Sequence, residues 1–321
     1  AISNLQSAIR GVMYDIIILG GGAAGLAAAA YAQSKQRNVL LIAEEVGGKA
    51  GTQQQLHHQA GEEEILGADA VQLLAQRVAS YPGAVLRDRV TNVAKVNGIF
   101  QVETQQHGRQ ESQAVLIATG ASPLPLDVPG AKQLVNHGIG YSITTHAHLL
   151  AGKAAAVIGS TDRALRGVIE LANIGAQVYL ITPDATGLST PLAHALRQVP
   201  GVTMLERYQV KQIIGTTNVE QIVIAQDGES SVLQVDAVFA DLGLLPNSGV
   251  VRRIVNVDPD GFIWVDDQHM TSLAGLFAAG DVTTAFAEQI LIAIGDGVRA
   301  AVSAYGYVLT HPALIEATAA D

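Results

Sequence analysis

Two segments of this 321-residue chain share one plan: a short apolar run, a turn that begins with glycine, and a helix-forming stretch. The first is Asp15-Ile16-Ile17-Ile18-Leu19, then Gly20-Gly21-Gly22-Ala23-Ala24-Gly25, then the alanine-rich stretch from Leu26 to Ala32. The second is Ala154 to Ile158, then Gly159-Ser160-Thr161-Asp162-Arg163-Ala164, then a helical pattern to Ile174. A strand, tight turn and helix in this order is the start of a βαβ unit. Its glycines have separate duties: one makes the turn, one lets backbone approach a pyrophosphate, and one lets helix and strand pack closely. The helix N-terminus then offers free N–H groups and a positive dipole end to phosphates. The first copy is intact, whereas the second carries a β-branched Thr161 at its middle glycine. A match alone is also compatible with a glycine-rich turn that holds no ligand, so the rest of the chain has to decide.

Composition narrows the choice. A length of 321 residues with 49% apolar content suits two domains with sizeable cores. A net charge of −10 argues against nucleic acid or an anionic membrane as main partner. The longest apolar stretch, Asp15 to Ala32, is broken by its glycines and falls short of the roughly 20 residues of a membrane span. Residues 1–12 lack the basic start and apolar core of a secretory signal and read as a short leader or cloning remnant, which makes the cytoplasm the default location. The absence of cysteine excludes disulfide and thiolate chemistry. Alternating patterns predict an α/β chain: a helix over Leu66–Ser80, strands at Val90–Val96, Phe100–Thr104 and Ala114–Ala118, and turns at Asn97-Gly98 and Gly108. Pro123, Pro125, Pro129 and Gly130 mark a linker, after which Ala154–Ile158, Ala164–Ile174 and Gln177–Ile181 form a second strand-helix-strand unit.

Further segments follow in a telling order. Val115-Leu116-Ile117-Ala118-Thr119-Gly120 is a strand ending in a small-residue turn. Gly275-Leu276-Phe277-Ala278-Ala279-Gly280-Asp281-Val282 is a short buried strand ending in Gly-Asp, followed by a helical stretch from Gln289 to Tyr305. With Gly47-Gly48, Leu242-Gly243-Leu244-Leu245-Pro246-Asn247 and Glu288-Gln289-Ile290 leading to Gly295-Asp296-Gly297, the chain resembles the low-molecular-weight thioredoxin reductase family from about Tyr14 to Leu309. That resemblance implies two Rossmann-like, three-layer (ββα) dinucleotide-binding domains, the second inserted into the first. The FAD-binding domain would comprise residues 13–121 and 250–321, and residues 122–249 would be the insert that binds NAD(P)H in the family.

The resemblance also implies a cofactor set. Gly20, Gly22, Ala23 and Gly25 would seat the FAD pyrophosphate, with Ala118, Thr119 and Gly120 beside it. Gly280 and Asp281 would hold the ribityl chain, and the Gln289 and Ile290 amides would face the flavin pyrimidine edge. Gly48, Lys49, His58 and Val90 complete the set. The ribose-binding acid expected after the second strand falls at Ala43, leaving Glu44 as its substitute. Lys49 and His58 stand where the family has Gln and Asn. Lys49 there would stabilise an anionic reduced flavin, or is simply a solvated lysine. A homodimer through the FAD domains is a further implication.

Two sites depart from the family pattern. In the second fingerprint, Gly159, Thr161, Arg163 and Ala164 form an eroded nucleotide site. The arginines for an NADP 2′-phosphate are replaced by Thr182-Pro183-Asp184, and no Arg or Lys occurs from Gly167 through Leu196, although Arg163 and Arg166 could reach a phosphate from the helix start. At the redox motif, Ser142-Ile143-Thr144-Thr145-His146 has hydroxyls at both sulfur positions, which cannot form a disulfide. His146 and His148 are candidate proton donors or else loop histidines, and Ser142 and Thr145 are read as capping or packing residues. His57-His58 lacks the accompanying ligands of a metal site.

The expectation is therefore an FAD-dependent oxidoreductase without disulfide chemistry. It would take electrons from ferredoxin or flavodoxin, or exchange them with a small acceptor or second flavin at the isoalloxazine. A ferredoxin or flavodoxin NAD(P) reductase and a non-catalytic flavin-binding sensor are the other readings. Tyr305 and Tyr307 either stack over the flavin or pack against the last helix.

Overall fold

The computed structural model describes residues 13–51, 67–184, 187–284 and 288–311. His57, His58 and Leu66 lie outside the described residues. The rest fall into two compact units, one made of residues 13–51, 67–122 and 246 onward, the other of residues 123–245.

The first unit opens with β1 (Met13–Gly21), whose Ile16, Ile17, Ile18 and Leu19 are at most 1% exposed. A parallel strand covered on both faces requires such an unbroken apolar run. Chain order continues through α1 (Ala23–Ser34), β2 (Val39–Val46), α2 (Ala68–Ala79), β3 (Val85–Arg87), β4 (Val90–Val96), β5 (Ile99–Thr104) and β6 (Gly108–Ile117). The sheet order is β3-β2-β1-β6-β5-β4. Its first four strands pair in parallel, and β6, β5 and β4 form an antiparallel meander. The β4–β5 turn has Asn97 and Gly98 at φ 51° and 86°, the two left-handed residues for which Asn-Gly is the favoured hairpin sequence.

The short strand β7 (Ala121–Pro123) leads into the second unit. There β8 (Ile139–Gly140), α3 (Ile143–His146), β9 (Ala154–Ile158), α4 (Asp162–Asn173), β10 (Gln177–Thr182), α5 (Pro191–Leu196) and β11 (Val202–Glu206) precede an antiparallel meander of β12 (Gln209–Gly215), β13 (Val219–Gln226) and β14 (Glu229–Gln234). With β15 (Ala237–Ala240) the parallel sheet has the order β11-β10-β9-β15-β8. The strand β16 (Leu244–Pro246) pairs with β7, after which β17 (Leu276–Ala278) returns to the first unit alongside β6, and α6 (Ile290–Thr310) closes the described chain.

Each unit has three layers. Alternate residues of β1 face opposite cores: Ile16 and Ile18 meet the alanines of α1 and α6, while Ile17 and Leu19 meet Phe100, Val115 and Ile263. In the second unit Val157 and Leu180 face Leu165, Val168 and Leu171 of α4, whereas Ile158 and Ile181 face Ile213, Ile222 and Ile224 of the meander. The α1–α6 contact depends on small residues. A Cβ at Gly297 would run into the Ala24 carbonyl, so the two helix backbones touch there.

One polar knot secures the first unit's outer loops. Buried Asp88, just after β3, accepts backbone N–H bonds from Arg89 (2.7 Å), Gln106 (3.0 Å) and His107 (2.9 Å), with His107 Nδ1 2.7 Å from Oδ2. Burial opposes ionisation of this carboxyl, yet these bonds and one from Thr104 outweigh it and hold it far below the usual carboxylate range. A folded-state pKa below the unfolded value of about 4 means stabilisation that is complete above that pH and lost as pH falls through the folded value. Melting curves of the wild type should therefore decline below about pH 4, and Asp88→Asn should melt lower at neutral pH with a flatter acid limb. Equal acid slopes in the two proteins would refute this role.

Candidate functional site

The glycines of the first fingerprint divide by what surrounds them. At Gly20, φ 111°, a Cβ would strike the Ala118 carbonyl, and at Gly25 it would strike the Gly20 carbonyl. These two let β1 close on the end of β6 and α1 close on β1. Gly22 is different: it is the N-cap of α1, with no side-chain cap, and among the described residues nothing lies within 4 Å of a Cβ built on it. Open space over an uncapped helix start is where a pyrophosphate would lie and where any side chain would intrude. The residues present thus fit a dinucleotide phosphate.

The neighbouring turns converge on this point. Gly47 N donates to Gly21 O at 2.8 Å, and Gly48 lies so close that its Cβ would be 2.9 Å from Gly22 Cα. Lys49 then reaches Asp281, Nζ to Oδ2 2.5 Å, with Glu288 Oε2 at 3.7 Å. Asp281 belongs to a 3-10 turn, Gly280–Val282, directly after β17, and Gly280 packs on the Ala24 side chain. The Ala118-Thr119-Gly120 turn is fastened by Asn247. Its side-chain amide donates to Thr119 O (2.9 Å), its N–H donates to Gly120 O (2.9 Å), and its carbonyl accepts from Thr119 Oγ1 (2.8 Å). Gln289 is the N-cap of α6, with Ile290 its first residue. Glu44 is exposed and pairs with Arg89 at 3.2 Å, while Val90 begins β4 half-buried. Gly20, Gly22, Gly25, Gly48, Lys49, Ala118, Gly280 and Asp281 are thus linked by contacts among themselves and with Ala24, and Ala23 begins α1 beside them. Asn247 is a positioning residue that the fingerprint alone does not reveal.

The second fingerprint is built alike and finished differently. Gly159, φ 128°, lies against the Asp241 carbonyl as Gly20 lies against that of Ala118. Thr161 is the N-cap of α4, its Oγ1 accepting from Ala164 N at 3.0 Å. The same hydroxyl donates to Asp241 Oδ1 at 3.1 Å, and Arg163 grips Asp241 with two bonds of 2.7 Å. Asp241 is buried, its side chain 4% exposed.

The segment aligned with the family's redox motif forms α3. Ser142 is its N-cap, and the Ser142 carbonyl lies 2.9 Å from His146 Nδ1. His146 is buried and His148 exposed. Ile143 presses on Gly167 of α4, so this short helix is packed into its unit. Tyr307 stacks on His311 with centroids 4.1 Å apart and meets Phe277 edge-on, which is the packing alternative, while Arg37 lies 5.6 Å over the Tyr305 ring.

A profile of the pyridine nucleotide-disulphide oxidoreductases matches residues 14–304. The chain belongs to this family. Among pyridine nucleotide-disulphide oxidoreductases of known structure it is similar to the thioredoxin reductase of Streptococcus pyogenes, with a TM-score of 0.80 and 26% identity over 93% of this chain and 99% of that one. The thioredoxin reductase of T. acidophilum superposes with a TM-score of 0.66 at 28% identity over 92% and 99% of the two chains. A component of the alkyl hydroperoxide reductase of Staphylococcus epidermidis is 30% identical over 78% of this chain and 50% of its own length. The chain spans about half the length of the curated relatives it matches. Unlike a disulphide oxidoreductase in the literal sense, this member contains no cysteine. No helix among the described residues is long and apolar enough to cross a membrane, and no group of His, Asp and Glu there could hold a metal.

Proposed function

We propose that this chain is an FAD-dependent oxidoreductase of thioredoxin reductase-like fold that performs no disulfide chemistry and takes its electrons from a donor other than NADPH. The observation that carries this is the contrast between two fingerprints in one chain: Gly22 stands under open space, while the equivalent helix start at Thr161 is capped and faces a carboxylate. Gly20, Gly22 and Gly25 would hold the cofactor's pyrophosphate, Asp281 its ribityl hydroxyls, and Lys49 would place positive charge beside it. Bound FAD would supply one- and two-electron transfer. Ferredoxin, flavodoxin, or a small acceptor or second flavin stacked on the isoalloxazine fits a chain with no cysteine and with no Arg or Lys from Gly167 through Leu196 to hold a 2′-phosphate. A homodimer through the first unit is part of the same proposal.

An anaerobic titration of the purified protein followed by visible absorption tests it. The flavin band should persist through millimolar NADH and NADPH and bleach with dithionite or reduced ferredoxin. Stoichiometric bleaching by micromolar NADPH would overturn the donor assignment, and absence of bound FAD would overturn the whole reading.

A further inference from the structure

We infer that Asp241 is an internal anion, occupying the role that a nucleotide's phosphate would play in the second unit, so that this site is closed to dinucleotides by the protein's own charge. The inference deepens the proposed function and rests on its donor assignment. It comes from comparing the two units position by position. Leu19 pairs with Ile117 across β1 and β6, and Ile158 pairs with Ala240 across β9 and β15. The next residues, Ala118 and Asp241, each donate a backbone N–H to the neighbouring strand, to Leu19 O at 2.7 Å and Ile158 O at 2.8 Å, and each carbonyl backs the first glycine of its fingerprint. Ala118 and Asp241 are therefore equivalent positions. In the first unit that position carries a methyl group and the helix start is open. In the second it carries a carboxylate that takes one hydrogen bond from Thr161 and two from Arg163.

Those are the partners a phosphate would seek at this place: the hydroxyl at the helix cap and the guanidinium of the first turn. With the Asp241 carboxylate 4% exposed and 2.7 Å from Arg163, an incoming phosphate would meet a buried acidic group whose cation is already engaged. A second, independent closure lies on the adjacent turn. A Cβ at Gly187 would strike the Ser160 carbonyl, so Gly187 rests directly on the fingerprint turn. In an open βαβ site that crevice between successive strand ends receives the ligand. Asp241 lies outside the linear fingerprint, and Thr161 alone is the visible change within it.

Two substitutions separate this account from simple erosion of a glycine. If Thr161 were the sole obstacle, Thr161→Gly would restore binding. If Asp241 is the stand-in anion, Thr161→Gly leaves the site closed, whereas Asp241→Asn removes the internal negative charge and opens it. The experiment is calorimetric titration of the full-length, flavin-loaded protein with ADP and with NADH. Expected are no binding below millimolar concentration for the wild type and for Thr161→Gly, and at least a tenfold gain for Asp241→Asn that disappears in Asp241→Asn/Arg163→Gln. The flavin spectrum and melting temperature report folding of each variant. Micromolar ADP binding by the wild type, or recovery in Thr161→Gly, would overturn the inference. So would a folded Asp241→Asn with no gain; should that variant not fold, the Thr161→Gly result decides alone. ADP binding without reduction by NADH would sink this inference and leave the proposed donor assignment standing. Rapid reduction by NADPH would sink the donor assignment.

Discussion

Gly22→Thr should give a folded protein that purifies without its yellow cofactor, whereas Gly25→Ala should compromise the fold itself. Among the described residues nothing lies within 4 Å of a Cβ at Gly22, whose φ of −81° suits any residue, and threonine is as good an N-cap as glycine. The apoprotein therefore loses nothing. The side chain nevertheless enters the space over the helix start, and FAD affinity should fall on the order of a hundredfold, about 3 kcal/mol at tenfold per 1.4 kcal/mol. At Gly25 the added methyl meets the Gly20 carbonyl, a backbone atom that moves only if β1 and α1 separate, and overpacking of this kind costs roughly 1–3 kcal/mol. Visible absorption with thermal melts of both variants makes the comparison. A colourless, unstable Gly22→Thr, or a stable yellow Gly25→Ala, would contradict the division of labour among these glycines.

Lys49→Met should retain FAD but lower its midpoint potential, while Asp281→Asn should weaken retention of the cofactor at least tenfold. Lys49 Nζ lies 2.5 Å from Asp281 and 3.7 Å from Glu288, so the cation sits in a local excess of negative charge. Its side chain is 53% exposed, and solvent reduces its influence well below the Coulomb value for a buried pair. A positive charge favours the more negative, reduced form, so its removal should lower the potential by on the order of 30 mV, equivalent to about 1.4 kcal/mol for two electrons. Spectroelectrochemical titration measures it. An unchanged potential would make Lys49 merely the solvated partner of Asp281.

The elements legible in the sequence were those set by local pattern. Val90–Val96 and Ala154–Ile158 alternate or run apolar between clear breakers, and Asn97-Gly98 has one favoured turn, so these elements appear with the expected bounds. Sheet extension was harder to see: the polar residues Gly108 to Ser112 belong to β6 because they pair with β5, a contact made by hairpin geometry and not by hydrophobicity. The site was legible wherever backbone demanded glycine. It was not legible where a distant strand delivers a side chain. Asp241 joins Thr161 only through the β9–β15 pairing, and Asn247 secures Thr119 across 128 residues of chain. One signal in the sequence could have exposed Asp241. Val115-Leu116-Ile117-Ala118-Thr119-Gly120 and Val238-Phe239-Ala240-Asp241-Leu242-Gly243 align as a repeat, with alanine facing aspartate at the fourth place.

The late arrival of β17 and α6 dictates an order of birth. Their partners β6 and α1 are synthesised first but stay uncovered until residues past 290 have emerged, because Val115 pairs with Leu276 and the α1 alanines share a core with Ala300, Ala301 and Ala304. Residues 123–245 form a contiguous unit that has no such wait and is free to fold while translation continues. Released chains ending near residue 250 should thus carry a protease-resistant second unit behind a first unit that chaperones still recognise. Asp281 lies beyond that point, so the acidic partner of Lys49 reaches the first fingerprint only after the second unit is complete.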